Sequence, residues 1–149
     1  MPEAELASLN HAWHRLDPWP DAAAGLARIH ARLITAPLSN GNISLMIDLA
    51  RHGGLAWDAI LGAEVARAYK PTREAYLRTA EALDLPPGAV CLVAAHNSDL
   101  AAARACGFVT AFVPRLREHG PAQTTDLRPE AAWEFVAADF GALAGQLGA

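Results

Sequence analysis

Cysteine is scarce in this sequence: only Cys91, inside an apolar run, and Cys106, near a helix end, occur among 149 residues. Two thiols cannot build a disulfide framework, and their spacing fits no zinc motif. A reducing, cytoplasmic setting is the expectation. Basic runs are missing too. Lys and Arg total 12 against 16 acidic residues, a net charge of -4, with no patch that would suit a polyanion, so nucleic acid is not an expected partner. Nowhere do 18 apolar residues run together, and Met1-Pro2-Glu3-Ala4-Glu5 lacks the basic-then-apolar order of a leader, so neither a membrane span nor a targeting segment is expected.

What is present is apolar residue in quantity. At 52% hydrophobic the chain can bury one good core, and its length predicts one domain. Leu6, Leu9 and Trp13 stand at helical spacing between Pro2 and Arg15, predicting an amphipathic helix that stops at Asp17-Pro18-Trp19-Pro20. Asp21 is expected to cap a second helix through about residue 32. The run 33–38 then reads as a buried strand, with Pro37 against it. A helix over 43–52 closes at Gly53-Gly54, and 59–61 is a short strand candidate.

Pro71 suits the first turn of a helix running to about Leu83, and Val90 to Ala94 is the clearest strand. A helix over 98–106, a strand over 108–113 behind Gly107, a short strand over 133–136 and a helix from Asp139 complete the pattern. Strands alternating with helices predict an α/β fold, a parallel sheet with helices on both faces, and a ligand site at the carboxyl ends of the strands.

Three such ends carry polar groups: Ser39-Asn40-Gly41-Asn42, Tyr69-Lys70-Pro71 and His96-Asn97-Ser98-Asp99. Ser39 and Asn40 lie between a strand and a helix start, where backbone N–H groups and the helix dipole attract an anion. Taken alone they read as a helix cap with a tight glycine turn. Lys70 can neutralise charge on a nucleophile or leaving group, and Asp99 can orient a lysine or activate water. Their plainer readings are a solvated lysine and a favourable dipole contact. His11 and His14 lie one turn apart without a third ligand, and Trp13, Trp19, Trp57 and Trp133 are expected to anchor the core. The loop 115–125, with Glu118-His119-Gly120-Pro121, borders the expected cleft without an assigned chemistry.

The ordered set carries more information than its members. Leu38-Ser39-Asn40-Gly41-Asn42, Ala68-Tyr69-Lys70-Pro71 and Val93-Ala94-Ala95-His96-Asn97-Ser98-Asp99 together resemble the second, third and fourth motifs of the haloacid dehalogenase superfamily, most closely the type II (S)-2-haloacid dehalogenases. The resemblance covers nearly the whole chain. It implies a Rossmann-like core over residues 18–149 preceded, over 1–17, by the end of a cap-like helical segment. It also implies hydrolysis of a short 2-haloacid or related carboxylate through an aspartyl ester, without metal or organic cofactor, and a possible homodimer. By the same resemblance Lys70 and Asp99 are the catalytic candidates, Lys70 keeping the nucleophile ionised and Asp99 ordering Lys70 or the water. Ser39, Asn40, His96 and Asn97 are the substrate-binding candidates.

Within the fourth motif Ala94 stands where a serine is common and His96 where an asparagine is common. Ala95 stands where magnesium-dependent phosphatases of the superfamily carry a second acidic residue, and a hard cation wants several carboxylate oxygens. The first motif, an aspartate ending an N-terminal strand, has no counterpart in these 149 residues. The expectation is therefore a core without its nucleophile strand and most of its cap, inactive by itself. The alternatives are a non-catalytic interaction module of the same fold and a fragment of a superfamily phosphatase.

Overall fold

The computed structural model describes residues 2–149. Helix α1 spans Glu3–Ala12 and runs into a 3-10 turn, Trp13–Arg15. Leu6, Leu9 and Trp13 are exposed on it. The segment is held to α3 (Ile43–Gly53) by His14 to Asp48 at 2.7 Å and His52 to Asp17 at 2.8 Å. Helix α2 spans Ala22–His30. Asp21 precedes it but makes no cap bond. Its carboxylate instead takes the Arg115 guanidinium on both oxygens, at 2.7 and 3.0 Å, and the Phe140 N–H.

The strand expected over 33–38 shrinks to β1, Leu38–Ser39. Asp58 accounts for the loss: its side chain accepts the Thr35 N–H at 2.7 Å and its N–H donates to the Thr35 carbonyl at 2.8 Å. With those groups taken and Pro37 lacking an N–H, no ladder can form, and Leu33 and Ile34 stay exposed. Helix α3 begins where Asn42 Oδ1 accepts the Leu45 N–H and ends at Gly54, whose φ of 62° is the left-handed stop.

Strand β2 is Leu61–Gly62, sharing only Leu61 with the predicted 59–61, and runs directly into the short helix α4, Ala63–Ala66. Helix α5, Arg73–Ala82, starts after Thr72 rather than at Pro71. Strand β3 (Cys91–Ala94), helix α6 (Asn97–Ala105) and strand β4 (Val109–Phe112) follow as expected, then β5 (Phe135–Val136) and α7 (Phe140–Gln146). Trp133 is not in the last strand but is buried in the core. Trp13 and Trp19 are exposed and anchor nothing there.

All strand pairs are parallel, and they form two sheets rather than one: β1-β2 and β3-β4-β5. The period-2 pleat of the larger sheet separates two cores. Leu92 and Phe112 point to one face, packing with Tyr76, Leu100 and Phe108 beneath α5 and α6. Ala111 and Val113 point to the other, packing with Ile29 and Leu143 from α2 and α7. Helices thus cover both faces, as the alternation implied. No helix among the described residues is long and apolar enough to cross a membrane.

Candidate active site

Lys70 and Asp99 meet. Lys70 Nζ donates to Asp99 Oδ2 at 2.6 Å, with both side chains largely shielded. Asp99 sits where the sequence placed it, in the first turn of α6 after β3, whereas Lys70, in the turn before α5, follows the short helix α4 and not a strand end as expected. The second oxygen, Asp99 Oδ1, accepts the Tyr76 hydroxyl at 2.6 Å. Burial first, then the hydrogen bond to Asp99 and its charge, push the Tyr76 phenol above its ordinary range, so it remains a donor. Asp99 is therefore gripped by a cation on one oxygen and a neutral hydroxyl on the other.

Asn40 joins the same group through the backbone. Its Nδ2 donates to the Lys70 carbonyl at 3.1 Å and its Oδ1 accepts the Lys70 N–H at 2.7 Å. This two-way clamp ties the end of β1 to the turn that aims Lys70. Ser39 sits one residue earlier, its Oγ accepting the Gly41 N–H at 2.9 Å. The adjacent helix end is already occupied: Glu64 takes the Ile43 N–H at 2.6 Å and Asn42 takes that of Leu45. Those amides are not available to an anion.

The fourth-motif residues split. His96 pairs through Nε2 with Glu118 Oε2 at 2.9 Å. Asn97 is buried, with every polar atom of its amide in use: Nδ2 donates to Asp126 and the Arg128 carbonyl, and Oδ1 accepts from the Glu130 N–H and Trp133 Nε1. It fastens the 126–133 segment and presents nothing to a substrate.

Beside Lys70 lies a cleft of about 540 Å³ between the two sheets. Leu38 and Leu61 line it from one side, and Cys91 and Val93 from the other. Burial pushes the Cys91 thiol up to about 11, with Glu134 adding to the shift, so Cys91 is an apolar wall rather than a nucleophile.

Tyr76 and Gly62 escaped the sequence reading. Gly62 has φ of 136°, and a Cβ there would lie 2.2 Å from the Ser39 carbonyl oxygen. Only glycine lets β2 approach Ser39 so closely. The sole signal for Tyr76 was its place on the helix that follows Lys70-Pro71.

A parallel α/β core carries this lysine–carboxylate pair near the carboxyl edge of its strands, where open α/β sheets bind their ligands. The sequence profile of the haloacid dehalogenase-like hydrolases matches residues 3–107. The chain belongs to that family. It is 35% identical to the (S)-2-haloacid dehalogenase of Xanthobacter autotrophicus over 123 residues, 81% of this chain and 48% of that protein. Among solved structures it superposes on the defluorinating L-2-haloacid dehalogenase Rha0230 with a TM-score of 0.97 and 52% identity, covering 100% of this chain and 61% of that one. It also matches the L-2-haloacid dehalogenase of Xanthobacter autotrophicus with chloropropionic acid covalently bound, with a TM-score of 0.84 and 30% identity, covering 99% and 68%. The chain spans about half the length of the curated relatives it matches.

Proposed function

We propose that this chain supplies the supporting half of a hydrolytic dehalogenase acting on a short 2-haloacid. In the reaction, an aspartate oxygen attacks C2, forms an ester and expels halide with its bonding electrons. Water then cleaves the ester, returning the aspartate and releasing a 2-hydroxyacid. The attacking aspartate comes from a segment outside these 149 residues, and residues 1–17 are the end of a cap.

Lys70 keeps that aspartate ionised. Asp99 is the positioning residue for Lys70, and Tyr76 fixes Asp99. Ser39 and Asn40 hold the substrate carboxylate or the nucleophile, and His96 completes the substrate side. The observation that carries the reading is the 2.6 Å Lys70–Asp99 pair, with Asn40 clamped to the Lys70 backbone beside it. The structure with chloropropionic acid covalently bound supports the ester chemistry by relationship. Ala95 opposes the phosphatase reading, since it removes one carboxylate from any magnesium site.

The test is a chimaera joining the preceding segment of the 52%-identical Rha0230 dehalogenase to this chain. Lys70→Ala and Asp99→Asn in it are expected to lower the halide-release rate from (S)-2-chloropropionate by about 10²–10³-fold, the range for loss of one preorganised charged contact. Variants that fold normally and retain most of the rate refute these roles.

A further inference from the structure

A second cluster of donors lies off the Lys70–Asp99 pair, at the end of β3. His96, Glu118 and His119 each offer one ligand atom, and those atoms all lie within 4.8 Å of one another. His96 Nε2 is 2.9 Å from Glu118 Oε2, and the two imidazoles are stacked, 12° from parallel with centroids 6.2 Å apart. We propose that His96, Glu118 and His119 form a three-ligand site for a divalent transition-metal ion of the zinc class.

Geometry supports this first. In a tetrahedral zinc site with Zn–N near 2.0–2.1 Å, ligand atoms stand about 3.3 Å apart. The His96–Glu118 separation is already close to that, and the remaining adjustment falls to His119, which is exposed.

Anchoring supports it second. His96 follows β3 directly, and the other two ligands sit in a loop with fixed points. The Glu118 N–H donates to the Arg115 carbonyl, the Gly120 N–H to that of Arg117, and the His119 N–H to Gln123 Oε1. Arg115 itself is locked to Asp21 by two hydrogen bonds.

The donor set decides the metal. Two imidazoles and one carboxylate suit zinc, cobalt or nickel, whereas magnesium and calcium want oxygen ligands throughout. Among the described residues no lysine or arginine is paired with Glu118, so its charge is available to the ion. Ligation through His96 Nε2 leaves the Nδ1–H as that ring's hydrogen-bond donor, which keeps His96 compatible with a substrate contact. Three protein ligands leave the fourth position for water or a small anion.

The experiment is calorimetric titration of the purified, EDTA-stripped chain with zinc chloride, repeated with cobalt chloride while recording the visible spectrum. One ion per chain is expected, with a micromolar or tighter dissociation constant, and the cobalt form should show the intense visible bands of tetrahedral coordination. Magnesium chloride should give no binding. His119→Ala and Glu118→Gln, both exposed, should each weaken zinc binding by at least about tenfold with the circular dichroism unchanged. His11→Ala, at the other histidine pair, should leave it unaltered. Failure to bind one ion, binding that survives both loop substitutions, or binding lost in His11→Ala would each overturn the site.

Discussion

Asp99 uses both carboxylate oxygens inside the protein, one on Lys70 and one on Tyr76. That geometry favours the ordering role over water activation, the choice that the motif left open. Asp99 was legible because it opens the helix behind the clearest strand, and Lys70 because the proline after it marks a helix start, although the short helix α4 and not a strand precedes it. Tyr76 and Glu118 were not, because a helix-face tyrosine and a loop glutamate acquire partners only through tertiary packing. Asn97 shows the converse: a motif residue whose amide is consumed by the 126–133 segment. A second network, in which the exposed Glu134 carboxylate is tied to the buried Thr110, makes a prediction of its own. The Thr110 hydroxyl, with the Thr110 N–H and Arg104, holds Glu134 down at about 2 against an ordinary 4.5. A depressed carboxylate contributes stability that is present above the unfolded value and lost as pH falls through the folded one. Between pH 4.5 and about 2 the wild-type midpoint in urea should therefore fall more steeply than that of Glu134→Gln. Parallel slopes for the two proteins would refute the coupling.

At the scale of elements, the long apolar or helix-periodic segments were readable and the short ones were not. Strand β3, strand β4 and the helices α3 and α6 stand close to where hydropathy and capping residues placed them. The 33–38 run was misread because its fate depends on Asp58, more than twenty residues away, which captures the Thr35 backbone. Likewise Asp21 looked like a cap until Arg115, from the far side of the sequence, took its carboxylate. The pairing of β1 with β2 rests on Gly62, whose positive φ and contact with Ser39 admit no side chain. Gly62→Ala should therefore cost about 1–3 kcal/mol, the usual range for forcing an atom into a packed site. Urea unfolding measures it, and an unchanged free energy would show that β2 can retreat from Ser39 without penalty.

At the scale of the molecule, the governing feature is the cleft between two parallel sheets. Its walls are apolar strand residues, Leu38 and Leu61 facing Cys91 and Val93, and Lys70 stands beside it. β1 and β3 do not pair across it, so each presents an edge whose backbone groups lack a ladder there. A parallel apolar strand entering the cleft would satisfy both edges and deliver its last residue toward Lys70, which is where the proposed mechanism needs an aspartate. The central claim is thus that the chain holds the support for the chemistry and receives the nucleophile from elsewhere. The direct measurement is halide release from (S)-2-chloropropionate by the purified 149-residue chain alone, set beside the chimaera that supplies the preceding segment. The account predicts release by the chimaera and, for the chain alone, a rate equal to the no-enzyme control. Halide release by the chain alone that disappears on Lys70→Ala would contradict it.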